Sequence, residues 1–370
     1  MFRKYRLKDY DFRLVFMLIA LTVIGILAVG SAEKDLQQKQ LIGFLLGLFL
    51  MIIISLFDYG VFLRFWWLMY AVNAILLIMV LLIGVEVNNA RRWLDFGIQF
   101  QPSELAKIIL ILFFAKFIMK YEEKLNDIKI LFFAIILVAP PLVMILEQPD
   151  LSTTIMIFLV FCSMIFVGGI SYKYVLGVLG VAIPSAIIIF VRILQPDQQI
   201  IEKYQRLRIM AWLHPEDYAT TQAYQQLNSI MAIGSGQLTG KGLNNNVVNS
   251  VKNGNFISEP QTDFIFTIIG EELGFIGSCL VVFLIIGIAV ECIVIAYKAK
   301  DTAGKVIAAG MGTLVGFFGI LNICVNTGLL PNTGIPLPFV SAGLTSLVTL
   351  YIGMGVVLNV GLQCLRKYNN

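Results

Sequence analysis

Acidic and basic side chains interrupt the apolar stretches of this sequence at a few positions, and chemistry could occur there. Glu104 and Lys107 stand three residues apart in an apolar run that begins at Pro102, a spacing that places both on one face of a helix. Asp150 and Asp263 each begin another apolar run. Ionisable residues within membrane spans are costly unless they face a partner or a wet cavity, so each is a functional candidate.

Structural roles would also explain these four residues. Glu104 and Lys107 could form an internal ion pair that serves only the fold, and Asp150 and Asp263 could be acidic N-caps of the helices that follow them. The residue types alone leave both readings open.

Two groups of arginines lie in polar segments between apolar runs. Arg91 and Arg92 precede Trp93, and Arg206 and Arg208 lie beyond residue 195. A guanidinium group binds phosphate oxygens in a fork, which suits a diphosphate or sugar head group. Contact with ordinary lipid phosphates, by snorkelling side chains, is the competing explanation.

Several other site classes are excluded. The five cysteines lie singly in apolar stretches and the only histidine, His214, has no partner of its kind, which argues against a zinc site or a Ser-His-Asp triad. The stretch 234–242, GSGQLTGKG, lacks the spacing of a Walker A loop, so its glycines are interpreted as allowing tight turns. No nucleotide or redox cofactor is expected.

The elements that must position these residues are membrane helices. Charged residues make up 14% of the 370 residues, against about 25% in soluble proteins. We predict an all-α polytopic membrane protein with ten transmembrane helices. The predicted spans are Leu14–Gly30, Lys39–Leu56, Phe62–Gly84, Pro102–Lys120, Lys129–Leu146, Leu151–Gly169, Tyr174–Leu194, Asp263–Tyr297, Val306–Asn326 and Leu337–Leu365.

The distribution of basic residues predicts the orientation. Sixteen Lys and Arg residues lie in the segments assigned to the cytoplasm and four in the short outer loops, so both termini are expected inside. The segment 195–262 is then one large extracytoplasmic loop between spans seven and eight. Within it, Tyr224, Leu227 and Met231 share a helical face, which suits either a helix lying on the bilayer or one packed onto the bundle.

A set of short motifs resembles one family over nearly the whole chain, the SEDS family. The first is ARRWLDFG from Ala90, followed by QPSE from Gln101 and by Ala106-Lys107. The others run in family order: QPDL from Gln148, Tyr204-Gln205 with Arg208, AIGSG from Ala232, TDFIF from Thr262, EELG from Glu271 and PLPFVS from Pro336. Each string alone is weak, but together they are specific.

The resemblance implies a single integral membrane domain over residues 1–370 and the activity of a peptidoglycan glycosyltransferase. Such an enzyme polymerises lipid II at the outer face of the bacterial cytoplasmic membrane, together with a class B penicillin-binding protein. The motifs look more like the elongation type of the family than the division type. A surface of small residues on the ninth span would suit close packing of the partner's helix. These residues are Ala308, Ala309, Gly310, Gly312 and Gly316.

The resemblance also implies roles for residues. Asp263 would be the catalytic general base, while Arg92, Lys107 and Arg208 would stabilise the diphosphate leaving group. Glu104 and Asp150 would support them or hold a cation, since this chemistry suggests Mg²⁺ or Mn²⁺. The remaining substrate-binding candidates are Trp93, Tyr204, Gln205, Glu259 and Ser341. A flippase or transporter of the lipid-linked precursor is the alternative, although its polar groups should gather at the bilayer midplane. A scaffold that only recruits a synthase is a third reading.

Overall fold

The computed structural model describes residues 9–87, 90–95, 97, 99–195, 198–199, 201–243 and 256–364. Thirteen α-helices and three short strands make up most of this part of the chain. The helices are α1 (Phe12–Ala32), α2 (Lys34–Leu56), α3 (Tyr59–Arg64), α4 (Trp66–Ile83), α5 (Pro102–Lys120), α6 (Ile128–Leu146), α7 (Leu151–Val167), α8 (Tyr172–Leu194), α9 (Lys203–Leu213), α10 (Tyr224–Ser235), α11 (Ile265–Tyr297), α12 (Thr302–Asn326) and α13 (Leu344–Cys364). The strands are β1 (Val85–Val87), β2 (Ala90–Asp95) and β3 (Gln99–Phe100).

Eight of the helices in the described residues are long and apolar enough to cross a membrane: α1, α2, α4, α6, α8, α11, α12 and α13. The two other predicted spans correspond to α5, which carries two acidic or basic residues near its start and two near its end, and to α7, which has 17 residues. The predicted all-α membrane fold is confirmed. The total of ten crossings stays a prediction.

Helix α12 lies at the centre of the bundle, packed against α5, α7, α11 and α13. Its small residues allow this close packing, since a Cβ atom at Gly312 would lie 2.9 Å from the Cys292 side chain, and one at Gly310 would lie 3.2 Å from Met164. The predicted docking surface for a partner helix is therefore wrong, because all five of its residues are buried inside the bundle: Ala308, Ala309, Gly310, Gly312 and Gly316. Small residues mark close helix packing without saying whether the neighbouring helix belongs to the same chain.

Hydrogen bonds between distant segments gather the described parts of segments 84–101, 147–150, 195–264 and 327–343 at one end of the bundle. We call this the loop end. Direct contacts are short: the Ser152 hydroxyl, in the first turn of α7, donates to the Thr333 carbonyl at 2.6 Å, and the Ser341 hydroxyl donates to the Thr262 carbonyl at 2.6 Å. The predicted site residues from these segments can therefore meet.

A small antiparallel sheet of order β1-β2-β3 forms at the loop end, where only a loop was expected. Val85 pairs with Trp93, and Leu94 pairs with Phe100. Strands of two to six residues leave little periodic signal in a sequence. The sheet matters because Arg92 lies on its central strand.

Two predicted spans are shorter in the structure than in the sequence interpretation. The span predicted over residues 62–84 divides at Phe65 into α3 and α4. The last span begins at Leu344 rather than Leu337, because the preceding segment holds Pro336 and Pro338, which lack an N–H group, and Phe339 at a φ of 64°.

Helix α11 is interrupted at Gly274, whose φ of 65° and ψ of −160° lie outside the helical region. The glycine-rich stretch 234–242 supplies hydrogen-bond partners to the backbone on both sides of this interruption. Its Lys241 and Gly242 amides donate to the Glu271 and Glu272 carbonyls at 2.9 and 3.0 Å, and the Phe275 and Ile276 amides beyond the break donate to carbonyls of the same stretch. A Cβ atom at Gly240 would lie 2.1 Å from the Glu272 oxygen, so the glycines are needed for close approach.

The predicted helix over residues 223–233 is present as α10. Its polar and small residues Gln226, Ser229 and Ala232 are buried against the bundle, whereas Tyr224 and Met231 are exposed and Leu227 is half-buried. The apolar face thus points away from the protein, an arrangement that suits a helix lying on a lipid surface. Its contact with the bilayer stays a prediction.

Candidate functional site

Asp263 lies in the turn immediately before α11, at the loop end of the bundle. The helix begins at Ile265, and its N-cap position is occupied by Phe264 without a side-chain cap. The alternative reading of Asp263 as an N-cap is therefore wrong. Gly334, at a φ of 69°, lies beside the carboxylate, and a Cβ atom there would be 3.4 Å from Asp263 Oδ2.

Four other predicted site residues act electrostatically on Asp263, and three of them, Arg92, Asp150 and Arg208, come from distant parts of the sequence. Burial raises the pKa of Asp263 to about 6, Arg208 and Arg92 oppose this rise, and Glu259 and Asp150 add to it. The site therefore holds a carboxylate that is a stronger base than usual, with two guanidinium groups close by. This combination suits proton abstraction next to a negatively charged group.

Arg92 reaches from β2 to the turn that precedes α7. Its Nε donates to the Gln148 carbonyl at 3.1 Å, a terminal nitrogen donates to the Pro149 carbonyl, and Nη1 lies 3.7 Å from Asp150 Oδ2. About a third of the Arg92 side chain remains exposed. The guanidinium group is thus held in place yet accessible.

Asp150 has the capping role that the sequence allowed. Its Oδ1 accepts from the Thr153 amide at 3.2 Å at the start of α7, and its other oxygen faces Arg92. Capping and contact with the arginine are therefore combined in one side chain.

Arg208 lies on α9 above the exposed ring of Tyr204, with its Cζ atom 5.8 Å from the ring centroid. Its Nη1 donates to the Asn332 carbonyl at 3.5 Å, which brings α9 next to the segment that contains Gly334. Gln205 instead takes part in the capping box of α9 with Glu202 and donates to the Tyr204 hydroxyl. Arg208 is the residue of this motif whose charge acts on Asp263.

The predicted pairing of Glu104 and Lys107 is confirmed. Lys107 Nζ lies 2.7 Å from Glu104 Oε1, both side chains are buried, and the Ser346 hydroxyl donates to Glu104 Oε2 at 2.7 Å. The ammonium also lies 4.5 Å from the Phe318 ring centroid. Lys107 lines an apolar cleft between α5, α6, α7 and α12, together with residues such as Phe114, Phe161 and Met164.

The remaining candidates have distinct positions. Ser341 is nearly buried and fixes the segment before Asp263, because its hydroxyl donates to Thr262 and accepts from the Leu337 amide. Glu259 is exposed, and its carbonyl accepts from the Thr262 amide and hydroxyl in a turn. Trp93 is half-buried on β2.

Sequence interpretation missed several polar residues that organise this end of the molecule. Asn322 and Asn326 are buried on α12 and donate to the Asp263 carbonyl, and Lys241 pairs with Glu271 at 2.7 Å. The two asparagines stand one helical turn apart in a long uncharged run, which is a signal that could have been noticed.

Comparisons with known proteins agree with this architecture. A family model described as cell cycle protein, FtsW/RodA/SpoVE, matches residues 10–364. The chain belongs to this family. It is therefore a member of the SEDS family, as the motifs suggested.

Named relatives and solved structures cover nearly the whole chain. A protein of Geobacter metallireducens named probable peptidoglycan glycosyltransferase FtsW is 33% identical, with 96% of each chain covered. The peptidoglycan glycosyltransferase MrdB of Escherichia coli is also 33% identical, over 95% of this chain and 93% of the relative.

Among the solved structures that the fold matches are two that cover nearly the whole chain. One is described as showing structural coordination of polymerization and crosslinking by a peptidoglycan synthase complex, with a TM-score of 0.78, 25% identity, and coverage of 98% of this chain and 99% of the other. The second is the rod shape determining protein RodA of Thermus thermophilus, with a TM-score of 0.68, 25% identity, and coverage of 95% and 96%. Proteins named FtsW, MrdB and RodA are thus all similar to this chain.

Proposed function

We propose that this protein is a peptidoglycan glycosyltransferase that polymerises lipid II into glycan strands, in the elongation of the cell and the maintenance of its shape. The proposal depends mainly on one observation: Asp263 is a carboxylate at the loop end whose pKa is raised by burial and lowered by the positive charges of Arg208 and Arg92. Membership of the family and the names of its relatives support it.

The proposed reaction is an inverting glycosyl transfer. Asp263 accepts the proton of the sugar 4-hydroxyl of an incoming lipid II, and the oxygen attacks the anomeric carbon of the growing glycan. The bond from that carbon to the undecaprenyl diphosphate breaks, and the diphosphate leaves with the electron pair. Arg92 and Arg208 stabilise its charge, and Lys107 is assigned to the same role from within the bundle.

A divalent cation, Mg²⁺ or Mn²⁺, stays a prediction from the chemistry of the leaving group. Across the described residues, no three His, Cys, Asp or Glu side chains converge in a way that could hold a metal ion. The side chains of the described residues therefore do not form a complete metal site by themselves. Such a cation would be bound largely by the substrate's phosphate oxygens, as Mg²⁺ often is.

A class B penicillin-binding protein is the proposed partner, because a solved structure with the same fold is described as a peptidoglycan synthase complex. Since the small residues of α12 are buried, the partner's helix has to dock elsewhere on the lipid-facing surface. Lipid II and this partner are the two molecules that the protein is expected to bind in the bacterial cytoplasmic membrane.

We propose that both termini are cytoplasmic and that the loop end faces outward, on the basis of the distribution of basic residues. A cysteine at Ser235, which is exposed on the loop end, should react with an impermeant thiol reagent in intact cells. A cysteine at Asn369, outside the described residues, should react only after permeabilisation. The reverse labelling pattern would overturn the orientation.

Purified protein in detergent or liposomes should convert lipid II into long glycan strands, alone or with a class B penicillin-binding protein added. Gel separation of the strands measures the product directly. Transfer of lipid II across the vesicle membrane without strand formation would instead identify a flippase.

A further inference from the structure

Two buried asparagines on α12 hold the backbone of Asp263. Asn322 and Asn326 are 1% and 0% exposed, and their side-chain nitrogens lie 2.8 and 2.9 Å from the Asp263 carbonyl oxygen. A carbonyl oxygen has two lone pairs, and here both are engaged by side chains of another helix. The peptide group next to the candidate base is thereby fixed to the central helix of the bundle.

Each asparagine also binds a second partner, and these bonds determine which segments are connected to the Asp263 backbone. The Asn322 nitrogen donates to the Ile335 carbonyl at 2.7 Å, so one amide group joins Asp263 to the segment that contains Gly334. Gly334 borders the Asp263 carboxylate. Asn322 therefore sets the distance between the carboxylate and one wall of the site.

Asn326 links the same carbonyl to α10 and α11. Its Oδ1 accepts from the Thr267 hydroxyl at 2.9 Å, and the Ser229 hydroxyl of α10 donates to the Asn326 carbonyl at 2.8 Å and lies next to the Thr267 oxygen. The network is closed, because the buried amide groups find partners on both their nitrogen and their oxygen sides. Such networks hold a single geometry, since losing one member leaves others unsatisfied.

We propose that Asn322 and Asn326 are positioning residues for Asp263, which aim its carboxylate at the acceptor hydroxyl. This inference rests on the proposed function, in which Asp263 is the general base. Misplacement of a reacting group by about 1 Å can lower a rate about 10²-fold, so a backbone clamp next to the base affects turnover more than binding. The arginines and Lys107 are not part of this network, so the roles proposed for them toward the diphosphate should be unaffected.

The test uses alanine substitutions of each asparagine and of both together, in the full-length protein. The single variants each keep one donor to the Asp263 carbonyl, and we expect kcat for lipid II polymerisation to fall roughly 10-fold in each and roughly 100-fold in the double variant. KM for lipid II should change less than about 3-fold. If the double variant does not fold, the two single variants decide the question.

Asn359 provides a matched control. It is fully buried on α13, its amide bonds to the Ser55 carbonyl and the Tyr59 amide, and it lies at the opposite end of the bundle from Asp263. Asn359→Ala should lose comparable thermal stability but keep kcat within about 3-fold of the parent. If Asn322→Ala and Asn326→Ala lose no more kcat than Asn359→Ala, the asparagines serve only the fold and the proposal is wrong.

Asp263→Asn in the same assay separates this proposal from the proposed function. If Asp263→Asn is inactive but the variants of Asn322 and Asn326 behave like Asn359→Ala, the positioning proposal is wrong and the proposed function stands. An active Asp263→Asn would refute the role of Asp263 as the base, and the positioning proposal with it.

Discussion

Asp263→Asn should abolish glycan polymerisation while leaving the fold intact. The amide has nearly the same shape as the carboxylate but cannot accept a proton, and loss of a general base typically lowers a rate about 10² to 10⁴-fold. The side chain caps no helix, so its replacement removes no cap. The initial rate of strand formation from lipid II, with the melting temperature as a second readout, measures the effect.

Asp301→Asn is the matched control for this substitution. Asp301 caps α12 by accepting from the Gly304 amide at 2.7 Å, and it lies at the end of the bundle opposite Asp263. Asn caps a helix as well as Asp does, so activity should stay within a few-fold of the parent. Polymerisation by Asp263→Asn at a rate close to this control would show that Asp263 is not the base.

Lys107→Met should cause the second largest effect, on both stability and activity. The substitution leaves the Glu104 carboxylate buried without its counter-charge, and breaking such a pair typically costs about 3 to 5 kcal/mol. Turnover should also fall, because a cation assigned to the diphosphate is lost. Thermal unfolding in detergent and the polymerisation assay measure the two effects separately.

The double variant Glu104→Gln/Lys107→Met distinguishes the two roles of the pair. Removing both charges should restore most of the lost stability, since a neutral amide needs no counter-charge. Activity should not return if Lys107 acts on the diphosphate. Lys116→Met, at a partly exposed position on the same helix, should change neither property substantially. Full activity in the double variant would show that Glu104 and Lys107 serve only the fold and that Lys107 does not act on the diphosphate.

Much of the fold could be predicted because membrane helices carry a strong local signal. Apolar runs of about 20 residues indicated the long helices, and the spacing of Glu104 and Lys107 along one helix was enough to indicate their ion pair. The candidate site was predicted mainly through family motifs. Composition alone could not separate Asp263 as a base from Asp263 as a helix cap.

What the sequence could not predict depends on contacts between distant segments. The break in α11 at Gly274 is stable only because the stretch 234–242 supplies backbone partners on both sides of it. The buried asparagines of α12 have a role only because Asp263, 59 and 63 positions earlier in the chain, lies against them. The small residues of α12 were assigned to the wrong surface, since helix packing within one chain and between chains uses the same residue types.

The most direct test of the central claim is the pH dependence of lipid II polymerisation by the purified protein. Burial raises the pKa of Asp263 to about 6, and a general base works only when it is deprotonated. The rate should therefore rise between about pH 5 and pH 7, with its midpoint near pH 6, and then reach a plateau. A rate that does not change across this range, or the absence of glycan strands at every pH, would contradict the account.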